Sequence, residues 1–325
     1  MKFRGQKIFV YASALLGTII IGGELFSRYI LGLGSPPLSI RHPTIEYMFM
    51  PNQNLYRFGN HVIINEYGMR SESFPLSKEK DEIRVMIFGD SVINGGNLTD
   101  QKDLASEIIK RELNQKQQKV TVGNISAGSW GPGNWLGYAK QYGFFDADFI
   151  ILVTNSDDYV DNPTFAPLDK NTHPTIQPIS ALVEGIERYL PRYLPQSKSE
   201  NNLQKNNQKL KDPSAKVEAA KKGIHDLSEF LELAKKQHKP IFVIQHLGKI
   251  EVNSNTFEPG YYAIRKVCVE LGVKCISLEA AYKKVINNKI DIFHDGIHVN
   301  ALGQRVIAEE ILDKVFRLPK RAAPK

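Results

Sequence analysis

Residues 84–96 read RVMIFGDSVINGG. The first five, Arg84 to Phe88, are mostly β-branched, aromatic or large and apolar, and read as a strand. The strand stops at Gly89-Asp90-Ser91, where small and polar residues signal a turn. The reading of this transition sets the reading of the rest. VTVGN (120–124), FIILV (149–153), PIFVIQ (240–245) and KCISL (274–278) repeat the apolar run. Helical patterns fall between and after them, over 102–113, from about Asn134, and over 215–237, 259–271 and 302–316. Apolar strands alternating with helices indicate an α/β chain whose parallel sheet is covered on both faces. Ligands of such sheets bind beyond the C-terminal strand ends, and Ser91 stands at one.

Three other stretches carry chemistry-bearing residues: NISAGSWGPGNW (124–135), TNSDDYVD (154–161) and FHDGIHVNALG (293–303). Asp295 and His298 are three apart, a spacing that a tight turn or a first helical turn brings to one face. A carboxylate that accepts from the imidazole Nδ1–H fixes the tautomer and leaves Nε2 as a base. Such a base needs a nucleophile, and a serine hydroxyl becomes one when a neighbouring base takes its proton. Ser91 is the candidate. The glycine-rich 124–135 stretch can aim backbone N–H groups at a developing oxyanion. Plainer readings stand beside each. Gly-Asp-Ser is a common turn, Asp295 can cap a helix, His294 reads as structural, and Asp157, Asp158 and Asp161 read as a solvated acidic turn rather than a cation site.

The combination resembles the SGNH (GDSL-like) hydrolase superfamily over roughly residues 82–316. FGDS (88–91) matches the first block and DGIH (295–298) the last. The stretch NISAGSWGPGN, NEYGMR (65–70) and the N-terminal anchor are similar to a membrane-anchored bacterial branch often associated with surface polysaccharide. The resemblance implies a flavodoxin-like three-layer α/β/α fold and a Ser91–His298–Asp295 triad. It also implies an oxyanion hole formed by the Ser91 N–H, by Gly128 (or Gly131), and by the third block. That block departs from the family's G-x-N-D. An ungapped match puts Asn155 at the glycine position and Asp157 at the asparagine position, and an ionised Asp cannot donate. Either Asp157 is protonated, or Asn155 turns in as the substitute donor, or two backbone donors suffice; Asn155 is preferred. Losing one donor costs about 3 kcal/mol. Asp90, Trp130, Asp157 and Asp158 are placed on the substrate side. The implied activity is ester hydrolysis, removing O-acyl groups from a carbohydrate, with no cofactor or metal. The alternatives are an O-acetyltransferase with the same triad and a non-catalytic carbohydrate-binding or assembly protein.

The 325 residues carry a formal charge of +7. Lys2, Arg4, Lys7, Arg317, Lys320, Arg321 and Lys325 account for all of it, so the chain between the ends is formally neutral. A nucleic-acid groove needs its charge on the folded body, which argues against that partner. Ile8 to Gly23 carries no charge. Those residues rise about 24 Å as a helix against roughly 30 Å of hydrocarbon, and flanking Lys7 and Arg28 can snorkel. A positive flank that stays cytoplasmic sends the rest across, so the chain is expected in the cytoplasmic membrane with its main domain outside. A cleaved signal peptide is the rival; no A-x-A site follows the run, and an uncleaved anchor is preferred.

The expected divisions are 1–34 (tip and anchor), 35–80 (linker and β-rich preface), 81–318 (hydrolase-like domain) and 319–325 (basic tail). LYRF and HVII, around Gly59-Asn60, read as a hairpin. Within the main domain, 160–215 reads as an insertion. Its first part, 160–195, is expected to form an ordered lid or wall, and the polar 196–214 a mobile loop. Cys268 and Cys275 either pair, as an oxidising compartment permits, or remain small buried thiols.

Overall fold

The computed structural model describes residues 2–115, 119–190 and 213–318. The central sheet contains β5 (Glu82–Gly89), β6 (Lys119–Ser126), β7 (Phe149–Thr154), β8 (Ile241–Gln245) and β9 (Lys274–Ser277). Its order is β6-β5-β7-β8-β9 and every pairing is parallel. Alternate residues build two cores, as the period of two along a strand requires. Met86, Phe88, Ile150 and Leu152 pack on one face, and Val85, Ile87, Ile151 and Val153 on the other. The first face is covered by α4 (Pro132–Tyr142), α6 (Pro213–Lys235) and α8 (Pro259–Glu270). The second is covered by α3 (Ala105–Asn114), α9 (Glu279–Ile286) and α10 (Ala301–Lys314). The result is a three-layer α/β/α fold with the flavodoxin-like strand order, whose switch point lies between β5 and β7. The short helices α2 (Ser91–Asn94), α5 (Ala181–Glu184) and α7 (Lys249–Ser254) fall in connections.

The preface holds two hairpins, where its sequence pattern shows one. β1 (Ser39–His42) pairs antiparallel with β2 (Glu46–Phe49), and β3 (Gln53–Arg57) with β4 (Asn60–Ile64). The hairpin turn is Phe58-Gly59, one residue before the expected Gly59-Asn60. Both turn residues have positive φ, 49° and 84°, the handedness a two-residue turn needs to match strand twist. Ile45, Tyr47 and Met48 join the same core as Trp130 and Trp135, so the preface packs into the main domain. The 160–190 segment folds over it. Ser39 N donates to the Pro174 carbonyl, and Glu46 accepts from the Thr164 and Phe165 backbones. The 191–212 stretch, with most of the expected mobile loop, and the tail from 319 lie outside the described residues.

Helix α1 (Lys2–Tyr29) is long and apolar enough to cross a membrane from Lys7 to Tyr29, with a mean hydropathy of 1.8. Cys268 and Cys275 are both free thiols, the first buried and the second half-buried.

Candidate active site

The Gly89-Asp90-Ser91 turn is held from below. Gly89 ends β5 where a Cβ would meet Ile93 at 2.5 Å and the Val153 carbonyl at 2.8 Å, so glycine is required by close approach. Its carbonyl accepts from Trp135 Nε1 at 2.9 Å. Asp90 caps α2, accepting from Val92 N at 2.9 Å. Ser91 then opens the helix at the mouth of the sheet. The buried Asn94 and Asn124 side chains donate to the Ser126 and Ile93 carbonyls and lock α2 to β6. Gln304 of α10 donates to the Val92 carbonyl at 2.6 Å.

The DGIH stretch is a loop, closed by an antiparallel bridge between Phe293 and Val299. It is not a helix start; Asn300, not Asp295, caps α10. Asp295 Oδ1 accepts from the Ile297 and His298 N–H groups at 2.9 and 2.8 Å, which turns the chain back on itself. The other oxygen, Oδ2, faces His298 Nδ1 at 2.7 Å. Nε2 of the same ring lies 2.9 Å from Ser91 Oγ. Burial alone would raise the Asp295 carboxyl, but those backbone bonds and the imidazole hold it below its usual range. The loop is pinned by a residue that sequence reading passed over. His246, buried at the end of β8, meets the Ile297 carbonyl through Nε2 at 2.8 Å and Tyr282 Oη through Nδ1 at 2.7 Å. The carbonyl can only accept, so Nε2 carries the proton. Burial pushes this ring down to about 4, so it stays neutral. Its signal was a lone histidine directly after an apolar strand.

The oxyanion side is set by strand register. Gly89 is paired with Ser126, so Ser91 and Gly128 leave the sheet at the same level. Among the described residues neither the Ser91 N–H nor the Gly128 N–H has an acceptor. Gly131, the other glycine considered, donates to Asn134 Oδ1 at 2.9 Å, and a Cβ there would overlap the Asp161 carbonyl. A Cβ at Gly128 would meet only Tyr47 Oη at 3.7 Å. Tyr47, from the preface, donates its hydroxyl to the Gly128 carbonyl and accepts from Trp130 Nε1 at its own carbonyl. The His173 ring lies tilted against it, 4.1 Å between centroids. This clamp holds a turn in which Ser129 sits at φ 52°, a left-handed conformation that costs a non-glycine residue energy.

Four expected residues sit differently from their sequence reading. Asn155 is buried and its amide is engaged, donating to Asp90 Oδ2 at 2.7 Å and to Asp158 Oδ1 at 2.8 Å. With both N–H groups bonded to carboxylates, it bridges two acids instead of facing an oxyanion. Asp158 is buried rather than solvated; Thr154 Oγ1 and Asn155 N also donate to it. Asp90 is buried beneath Ser91, and Trp130 is a fully buried core residue, so neither lines the substrate side. Asp157 alone of that group is exposed. Among the described residues no cluster of His, Cys, Asp and Glu is arranged to hold a metal ion.

The acids behind the site titrate upward. Burial pushes Asp90 up to about 6, against hydrogen bonds from Val92 and Asn155. Burial and the neighbouring Asp90 raise Asp158 well above its usual range. Burial, then Asp90 and Glu46, push Asp161 up to about 7. The folded chain holds these protons more tightly than the unfolded chain. Their contribution to stability is therefore full below the ordinary value of about 4 and is lost as pH rises through about 6 and about 7. The urea midpoint of the wild type should fall between pH 5.5 and pH 8, and Asp161→Asn should narrow that gap; an unchanged gap would count against this assignment.

No family model matches the chain, and no curated protein matches its sequence. Among solved structures, it is similar to a member of the lipolytic G-D-S-L family from Veillonella parvula, at 12% identity and TM-score 0.43, over 73% of this chain and 100% of that one. It is also similar to an acetyl xylan esterase from Geobacillus stearothermophilus, at 14% identity and TM-score 0.46, over 74% of this chain and 97% of that one. A two-domain esterase active on acetylated mannans is similar at 12% identity and TM-score 0.43, over 75% of this chain and 53% of that one.

Proposed function

We propose that the chain is an SGNH-superfamily acyl hydrolase that cleaves an ester through Ser91, His298 and Asp295. The observation that carries the reading is the unbroken hydrogen-bond relay at the strand ends, 2.9 Å from Ser91 Oγ to His298 Nε2 and 2.7 Å from His298 Nδ1 to Asp295. In this mechanism His298 takes the Ser91 proton as Oγ attacks the ester carbonyl. The N–H groups of Ser91 and Gly128 receive the negative charge. His298 then returns the proton to the leaving alcohol and activates water for deacylation. Two backbone donors serve, because the Asn155 amide is committed to Asp90 and Asp158.

The substrate class we propose is a carbohydrate bearing small O-acyl groups. Water is favoured over a sugar hydroxyl as acceptor, because the triad is open: the side chains of His298 and Asp295 are 36% and 50% exposed. A transferase must keep water from its acyl-enzyme.

The test is to treat the full chain in detergent with a serine-reactive fluorophosphonate and with an aryl acetate. Labelling and turnover that vanish in Ser91→Ala support the enzyme; a folded wild type that neither labels nor turns over sinks it. The full chain is needed, since a fragment from residue 40 would lose the Gly32 carbonyl that Arg57 holds and the Gly34 N–H that Glu184 holds. The clamp on the oxyanion turn has its own consequence. Tyr47→Phe should lower kcat about tenfold with KM little changed, a fraction of what a lost oxyanion donor costs. A change confined to KM would place Tyr47 in substrate binding.

A further inference from the structure

The segment from Ile176 to Leu190 is built inside out. Of its three charged residues, Glu184 is buried, where it accepts from Arg57 Nη2 at 2.7 Å, Gly34 N at 2.5 Å and Arg188 Nη1 at 3.3 Å, and Glu187 is exposed. Most of its large apolar residues face outward, while Ala181 is buried. Ile179 is 98% exposed, Val183 36%, Ile186 50% and Leu190 44%. Val183, Ile186 and Leu190 are spaced three and four apart along the helical turns that start after Ser180, and Ile179 continues their exposed apolar surface just before those turns. A helix of a water-soluble body turns such a stripe to the core. A helix lying in a bilayer interface turns it to the lipid.

The place of the stripe favours the second. The last turns of α1 are bonded to it: Glu24 accepts from Ala181 N at 3.1 Å and Leu182 N at 2.9 Å, capping α5, and Gly23 packs beneath Leu182. On the other flank is the tip of the β3–β4 hairpin. Phe58 there is 39% exposed, its ring lies 5.3 Å from that of Tyr189, and its N–H donates to the Leu31 carbonyl just past α1. Aromatic rings at the end of a spanning helix sit at headgroup depth.

We infer that the stripe Ile179–Val183–Ile186–Leu190 lies in the headgroup–acyl boundary of the same bilayer that α1 crosses, which rests on α1 being a membrane anchor. The catalytic body is then held at two joined points and does not swing on a tether. The segment that lays His173 over Tyr47 runs directly into the stripe, so the wall of the site is fixed to the membrane surface.

The full-length chain is placed in nanodiscs of phosphatidylethanolamine and phosphatidylglycerol, with a nitroxide at Leu15→Cys, Ile179→Cys, Ile186→Cys or Ile250→Cys. The wild type, carried through the same labelling, controls for Cys268 and Cys275. Collision with oxygen is compared with collision with a water-soluble nickel complex. We expect oxygen to dominate at 15, 179 and 186, and nickel at 250, which is exposed on α7. If 15 reads as lipid while 179 and 186 read as water, or as shielded from both probes, the stripe meets solvent or another protein surface and the inference is overturned. If 15 itself reads as water, the anchor reading fails and takes the inference with it. The esterase reading stands apart from both outcomes, since aryl acetate turnover in detergent tests it separately.

Discussion

Ser91→Ala lowers kcat toward an acyl ester by at least about 10⁴-fold, and His298→Ala by a similar factor. The size follows from the relay. Without Oγ there is no acyl-enzyme, and without Nε2 at 2.9 Å there is no base for Oγ. The two losses do not add. The double variant Ser91→Ala/His298→Ala should be no slower than the worse single variant, because each single change already removes the whole covalent route. Asp295→Asn should cost less than either. The carboxylate is half exposed, so its charge is screened by water, and its main work is to hold the Nδ1–H tautomer. Steady-state kinetics with an aryl acetate, alongside fluorophosphonate labelling, give all four values. Losses that multiply in the double variant would mean that Ser91 and His298 act in separate steps, and would sink the relay.

The layers and strand order of this protein were legible because their signals are local. The inner strands of the sheet are apolar runs buried on both faces, and turn residues punctuate each one. The meeting of Ser91 with His298 was also legible, since a serine after one strand and a histidine before the last helix come to the same sheet edge in this topology. What could not be read is what depends on side-chain direction. Asn155 and Asp157 differ by two positions, and no periodicity says which faces the site. The structure turns Asn155 downward because two buried carboxylates, Asp90 and Asp158, need its two N–H groups more than the open site does. Gly128 and Gly131 were equally glycine until the register with β5 and the Asn134 side chain separated them. Tyr47 and His173 lie far from the motifs in sequence and reach the site only through the way the preface and the 160–175 segment close over it. The inverted helix after Ser180 was invisible for a related reason. Its apolar spacing is that of a core helix, and only the fold shows that this face has no core to meet.

Arg70→Met should destabilise the protein by about 3 kcal/mol and slow the esterase with it. Arg70 ends NEYGMR, a motif that the catalytic reading does not use. Asn65 Oδ1 accepts from Tyr67 N and Met69 N, both at 3.0 Å, and turns the chain. Gly68 sits at φ 72°, where a Cβ would collide with Met48 and the Phe49 carbonyl. The turn drops Arg70 into the interior, 1% exposed. Among the described residues no carboxylate bonds to it there. Its Nε donates to Gln101 at 2.8 Å, Nη1 to the Gly96 carbonyl at 2.7 Å, and Nη2 to the His61 and Thr99 carbonyls at 3.0 and 3.2 Å. One guanidinium thus ties β4 of the preface to the chain that leaves the nucleophile helix. Methionine fills much of the volume but takes the donor from the buried Gln101 and Thr99 acceptors, at about 1–3 kcal/mol each before relaxation, and from the part-buried Gly96 and His61 carbonyls, at less. Arg70→Lys keeps the charge, yet its ammonium cannot span acceptors set out for a planar fork, so it should recover only part of the loss. Urea unfolding in detergent measures the first effect, and kcat at a pH where wild type and variant are both folded measures the second. If Arg70→Met unfolds at the wild-type midpoint, the four bonds carry no net stability. If it is destabilised yet keeps full kcat, Arg70 supports the preface alone and Ser91 owes it nothing.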